Sequence, residues 1–338
     1  MAAASKSQMH GGAGIACRLR SALLATGMVF CAAQAALAAE TYPTKPIRIV
    51  LGALPGSNTD FFFRAIATPM GAALGQQLIA DYRAGGGGLV GSAATSKASP
   101  DGYTVSLVGS GFVMHPALMK SMPYDALKDF TAVGLVVEST QMMVIHPLLP
   151  VKTLKDLVEL ARKRAGQLNY GSAGPGTNTH LAGVLFNLLG KVSIVHVPYK
   201  STPPMLVDVM AGQIEIAYPG IASVIEHAKS GRLRMLAQTG KRRSASAQHV
   251  PTMEESGLEG YVVTSGFGLM GPAGMPRAVV ERLNAAMVQA VRLPGTAKLF
   301  VDNGVDAVGS TPEEYDAFNR TEIARWIKVA RDGGIKPE

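Results

Sequence analysis

The chain has 338 residues, 47% of them hydrophobic and 17% charged, with 38 Gly and 20 Pro, which excludes a disordered or fibrous protein and points to more than one folded core. The formal charge is +8, but the basic residues are interspersed. The sharpest cluster, Lys241-Arg242-Arg243, is a solvated loop rather than a nucleic-acid surface, so no nucleic-acid partner is expected.

The first 38 residues read as a signal peptide. Lys6, Arg18 and Arg20 form a basic region, an apolar run follows from Ser21 to Ala35, and Ala36-Leu37-Ala38 is an A-x-A cleavage site. Both cysteines, Cys17 and Cys31, lie in this leader, so the mature chain is expected to carry no disulfide or thiol chemistry. No later run is long enough for a membrane helix, and the expected location is the periplasm.

Pro46 to Leu51 reads as a buried strand. A Gly/Pro turn follows, Gly52 to Asp60, and then a helix through Phe62, Ile66 and Met70. Ser57, Asn58 and Asp60 are candidate helix caps. Leu78 to Asp81 is a second strand. Gly85 to Gly88 lead into a small-residue helix, and Gly86-x-Gly88-x-x-Gly91 has the form of a dinucleotide fingerprint. The acidic residue that motif needs some 20 positions later is missing, so no nucleotide cofactor is expected. Tyr103 to Val108 is a strand ending at Gly109-Ser110-Gly111.

Val133 to His146 and Tyr261 to Met270 are long extended stretches. Between them short strands alternate with helices, Ile214 to Tyr218 being one strand. The most informative segment is Leu168 to His180. It reads as strand, Gly-rich turn and helix start, with Leu181, Val184, Leu185 and Leu188 apolar at helical spacing. Such a turn leaves backbone N–H groups at the positive end of a helix dipole, a place ready for a carboxylate or phosphate. Ser172, Gly176, Thr177, Asn178 and Thr179 supply donors or close backbone approach, although Thr177 or Thr179 also suits a cap. His180 either meets the ligand or fixes the turn. After Pro272 the chain is helical, and Phe318, Ile323, Trp326 and Ile327 are expected to form the last helix's apolar face.

The alternation predicts an α/β fold with mostly parallel sheets and flanking helices. The two extended stretches are expected to cross between two lobes, residues 40–138 plus 267–338 and residues 139–266. Each lobe then carries one Gly turn at the carboxyl end of a strand, where open α/β sheets bind ligands. Ala53, Leu54, Gly56, Ser57, Asn58, Asp60 and Ser110 are the candidate ligand residues of the first lobe. Ser172, Gly176, Thr177, Asn178, Thr179, His180 and Tyr218 are those of the second. Asp60 and Lys200 also suit a structural cap or ion pair. No metal-ligand motif and no Gly-x-Ser-x-Gly elbow occurs, so neither a metal nor an enzyme is expected.

The chain resembles the substrate-binding proteins of tripartite tricarboxylate transporters, also called Bug proteins. The matching segments are Tyr42-Pro43-x-Lys45-Pro46-Ile47-Arg48-Ile49-Val50, Pro100-Asp101-Gly102-Tyr103-Thr104, Pro123-Tyr124-Asp125, Leu168-Asn169-Tyr170-Gly171-Ser172, His196-Val197-Pro198-Tyr199-Lys200 and Thr311-Pro312-Glu313-Glu314. The resemblance implies a periplasmic Venus-flytrap clamshell that captures small carboxylates for a membrane permease with a large and a small subunit. The same clamshell equally suits docking onto the outer domain of a sensor kinase, an exported hydrolase is the more distant alternative, and a monomer is expected. The resemblance also implies that the two Gly turns hold the carboxylates by N–H groups, hydroxyls and waters more than by arginines. The first turn departs from the family's Pro-Phe-x-Pro-Gly-Gly: Ala53 stands at the aromatic position and Ser57 at a glycine. One ring of Phe61-Phe62-Phe63 is expected to replace the lost wall, in a pocket open to bulkier or aromatic acids.

Overall fold

The computed structural model describes residues 42–174, 177–335 and Pro337; the leader and Gly176 lie outside the described residues. The chain divides at Thr44, and Lys45–Glu338 packs as one unit. Its strands are β1 (Ile47–Leu51), β2 (Leu78–Tyr82), β3 (Thr104–Val108), β4 (Phe130–Thr140), β5 (Met142–Ile145), β6 (Asn169–Ser172), β7 (Val195–Pro198), β8 (Ile216–Ala217), β9 (Arg234–Gln238), β10 (Thr264–Pro272) and β11 (Val305–Ala307). The helices are α1 (Asn58–Leu74), α2 (Leu89–Ser96), α3 (Gly111–Leu118), α4 (Leu154–Lys163), α5 (Asn178–Gly190), α6 (Thr202–Met210), α7 (Ile225–Lys229), α8 (Arg277–Arg292), α9 (Pro294–Asp302) and α10 (Pro312–Asp332).

Two sheets result. One has the order β11-β4-β10-β3-β1-β2 and the other β7-β6-β8-β5-β9. The chain passes from the first sheet to the second between β4 and β5, and returns between β9 and β10. Parallel pairing, expected to predominate, joins β1 to β2 and β3, and β6 to β7 and β8; the other paired strands named here run antiparallel. The sheets are therefore mixed. The crossing strands are the reason: β4 leaves as β10 returns, so they lie side by side in opposite directions, Phe130 opposite Pro272 and Thr140 opposite Thr264. No crossover helix separates them to make the pairing parallel.

Val133, Val136 and Val137 of β4 are wholly buried between helices, as are Leu283, Met287 and Ala290 of α8. The last helix, α10, opens with the expected capping box, Thr311 with Glu314. It buries Tyr315, Ile323 and Trp326, but Ile327 is exposed: the inner face continues at Ala330 instead. Trp326 joins a core cluster that includes Val108 from the first sheet and Tyr170 from the second, so one apolar core continues under both.

Candidate ligand-binding site

The first turn runs from the end of β1 into α1. Ser57 caps the helix, its hydroxyl accepting the Asp60 N–H at 3.3 Å. Asp60 is 4% exposed and holds the turn together. Its carboxylate accepts the Gly56 N–H at 2.8 Å, the Tyr82 hydroxyl at 2.7 Å and Arg64 Nε at 2.9 Å. The Gly56 N–H does most to hold the Asp60 carboxyl below the usual range; burial opposes it, and Tyr82 and Arg64 assist.

Behind this turn lies a cavity of about 250 Å³. Its walls are Gly52 and Ala53, the Gly87-Gly88 run, Ser106 and Ser110 at either end of the β3 exit, and the ring of Phe267 from β10. None of its described lining residues is charged. Of the residues predicted for the first lobe, it gathers Ala53 and Ser110. Leu54, Gly56, Ser57, Asn58 and Asp60 build the turn and the cap and do not line it; Leu54 is 68% exposed.

Gly85 to Gly88 all have positive φ, from 55° to 146°, which only glycine adopts freely, and so their backbone can lie against Gly52. A methyl group on Gly52 would stand 2.6 Å from Gly88 Cα. The apparent dinucleotide motif is thus a cavity wall. The ring expected from the Phe triplet comes from elsewhere. Phe62 and Phe63 are buried, Phe61 is half-buried, and none lines the cavity. Phe62 instead backs Phe267, ring centres 4.6 Å apart. Nothing local at position 267 marks this role, because it depends on β10 pairing with β3.

The second turn runs from β6 into α5. Thr177 is the cap, accepting the His180 N–H at 3.4 Å and donating to the Gly174 carbonyl at 2.7 Å. Thr179 accepts the Ala173 N–H at 2.8 Å and meets the Thr177 hydroxyl at 2.8 Å. Beneath the turn the rings of His180 and His196 stack at 4.1 Å, and His196 stacks on Tyr170 at 5.1 Å. Burial, with His196 as a second cause, pushes His180 down to about 4; burial also lowers His196. Tyr218 is fully buried with its ring edge-on to Tyr170, so it backs the site from the core.

Ser172 lies 2.6 Å from His196 Nε2, a nucleophile–base spacing. Ser172 is however completely buried, and its oxygen also accepts the Gly174 N–H at 3.1 Å. The pair is a strut under the turn.

The two turns converge on β10. The Asn178 side-chain amide, in the first turn of α5, donates to Ser265 Oγ. Ser265 and Phe267 are two apart on one strand and therefore share a face, roughly 7 Å apart. One end of that short span touches the second turn and the other walls the first-turn cavity. A larger groove of about 1020 Å³ lies between Lys152, Ile225 and Val250, but it contains no residue of either turn.

Two mixed sheets joined by two crossings, with a strand–turn–helix unit on each side, define the α/β fold of periplasmic solute-binding proteins, as in a structure described as a periplasmic transporter (33% identity, TM-score 0.73, covering 87% of this chain and 99% of that one). The family model described as "Tripartite tricarboxylate transporter family receptor" matches residues 62–335, and the chain belongs to that family. The curated relative Protein BugT of Bordetella pertussis is 33% identical, covering 89% of this chain and 93% of its own. An R. palustris protein whose structure holds adipate is 30% identical, with a TM-score of 0.73 over 88% of this chain and 100% of that one. MatC from Rhodopseudomonas palustris, with bound malate, is 27% identical, with a TM-score of 0.70 over 85% and 99%.

Proposed function

We propose that the protein is exported to the periplasm, captures a small carboxylate between two lobes, and delivers it to a membrane permease with a large and a small subunit. The lobes are residues 40–138 plus 267–338 and residues 139–266, with a leader removed near Ala38. One observation carries this: both Gly turns meet the same face of β10, at Ser265 and at Phe267. A ligand between them collects backbone N–H groups at both turns, near Ala53 and Ser110 on one side and at Asn178 and Thr179 on the other. Those donors act together only when the lobes close, so binding biases closure. The adipate and malate held by related structures support a carboxylate.

Charge balance also favours this reading. No described residue lining the cavity is anionic, and the nearby Asp60 carboxylate is already occupied by Gly56, Tyr82 and Arg64. A thermal-shift screen of the purified protein against C4 to C6 dicarboxylates, citrate, acidic amino acids, benzoate and nicotinate tests it. A ligand at 100 times its Kd adds about 2.7 kcal/mol and raises Tm. No rise with any acid would overturn the proposal.

A further inference from the structure

His115, on α3, lies directly behind the cavity at the first turn, outside its lining. Its Nε2 faces the glycine wall: a methyl group on Gly87 would stand 3.2 Å from that nitrogen, and one on Gly111 3.3 Å. Gly87 and Gly111 both line the cavity, so a single layer of backbone separates the imidazole from whatever fills it. The other nitrogen, Nδ1, lies 3.5 Å from the Tyr124 hydroxyl. Tyr124 is buried, its ring stacked with Phe112 and edge-on to Phe130. Its hydroxyl in turn accepts from Ser92, which is buried and lines the same cavity. A chain of polar groups thus leaves the cavity at Ser92, passes through Tyr124 and His115, and returns to the wall at the Gly86 backbone.

Among the described residues no charge acts on this imidazole. Burial holds it below its ordinary range and the bond to the Gly86 backbone opposes that. The glycine run, α2 and the rest of α3 carry no ionisable side chain. The segment bearing Tyr124 carries Asp125, Lys128 and Asp129, but Asp125 is paired with Lys128 at 3.1 Å and Asp129 accepts the Asp125 N–H at 2.7 Å. On α10, which packs against α3, the buried ionisable groups are Tyr315 and Glu322, the latter paired with Arg325.

We infer that His115 is a positioning residue through which the first cavity binds its carboxylate together with one proton. This rests on the proposed carboxylate capture and deepens it. In the empty protein the neutral ring donates to Gly86 and offers Nδ1 as an acceptor to the Tyr124 hydroxyl. A carboxylate in the cavity reverses the chain. Ser92 donates to the anion, Tyr124 donates to Ser92, and Nδ1, carrying a proton taken from solvent, donates to Tyr124. The positive ring then lies one backbone layer from the negative ligand, an attraction strengthened by the exclusion of water. An anion there raises the ring's proton affinity. Binding therefore takes up a proton at pH values between the titration of the empty and of the filled protein, and affinity rises as pH falls through that window.

Isothermal titration tests this with each acid of the thermal-shift set that raises Tm, run at pH 6.5 in PIPES and again in bis-Tris. The difference in heat between buffers of unlike ionisation enthalpy counts the protons taken up. Wild type should take up a sizeable fraction of one proton, and Kd should tighten roughly three- to tenfold from pH 7.5 to pH 5.5. In His115→Gln both effects should largely disappear, beyond any proton the acid itself exchanges, although His180 and His196 remain. A residue that only packed behind the wall would change Kd alike at every pH. Tyr124→Phe, which keeps the ring between Phe112 and Phe130 and removes the hydroxyl, is the second variant should His115→Gln not fold, and it should lower the uptake likewise. Equal uptake by wild type and variant, or none by wild type, overturns this inference and leaves carboxylate capture standing. If no acid of the set raises Tm, both fall.

Discussion

The two turns have the same outline, strand, glycine-rich corner and helix start, but they are braced by different chemistry. The first is held by one buried acid: Asp60 collects a backbone N–H, a phenol and a guanidinium. The second has no acid in its helix's first turn and is held by hydroxyls, with stacked imidazoles beneath. An acid under the first turn keeps the corner shut without lining the cavity, and the glycine run supplies a wall of backbone. In the second turn, Thr177 and Thr179 are largely used on the turn itself, which leaves Asn178 as the side chain that reaches across to Ser265 on β10.

The largest effect should come from closing the glycine contact. In Gly52→Ala the new methyl meets Gly88 backbone at 2.6 Å, and neither side is a flexible side chain. The first turn must shift, at a cost of about 1–3 kcal/mol. Ligand affinity should fall by roughly a hundredfold or more, the displacement being about 1 Å at the cavity wall. Unchanged affinity in the Gly52→Ala protein would show that this cavity is not the site.

Next come the two braces. Asp60→Ala leaves three donors without their acceptor and should lose about 2 kcal/mol in urea unfolding at pH 7. Because the folded carboxyl titrates below its ordinary value, its stabilisation is present above about pH 4 and is lost as pH falls through that lowered value. The difference between wild type and Asp60→Ala should therefore shrink in acid. Thr177→Ala removes a cap worth about 1 kcal/mol, and that loss should be the same across this range. Equal pH dependence for the two variants would contradict the contrast between them.

The last effect is a slope, small near neutral pH and growing only in acid. His180 and His196 stay neutral in the fold at pH values where free imidazoles take up protons. The unfolded chain then binds more protons between about pH 6.5 and 4, so stability falls as pH is lowered across that window. His180→Phe keeps a ring in the stack and should flatten this decline, as read from urea midpoints at half-unit steps.

Much of this architecture is legible in the sequence. Both strand–turn–helix units stand out because glycine and cap residues interrupt apolar runs at the period of a strand on one side and a helix on the other. The two crossings are visible as long extended stretches. What the sequence hides depends on contacts distant in the chain. Phe267 becomes a cavity wall only because β10 returns beside β3, and Phe62 is the louder signal because it sits in a triplet. Helix α3, just past the strand that ends at Gly109-Ser110-Gly111, is not marked in the sequence: Phe112, Val113, Met114 and Ala117 are all buried and Pro116 lies within it, so no polar face marks the period. Helix α9 follows α8 across a single residue, Leu293, so their apolar patterns run together. The sheets are mixed because the crossing strands are neighbours, and adjacency of that kind has no local signature.

The central claim is that one ligand engages both turns. Amide hydrogen exchange, with and without the tightest acid from the thermal-shift screen, tests it directly. Slowed exchange should appear together in the peptides covering residues 52–60 and 172–180, along with β10 around Ser265, at the same ligand concentration. Protection at one turn alone, with the other unchanged at saturation, would contradict the account.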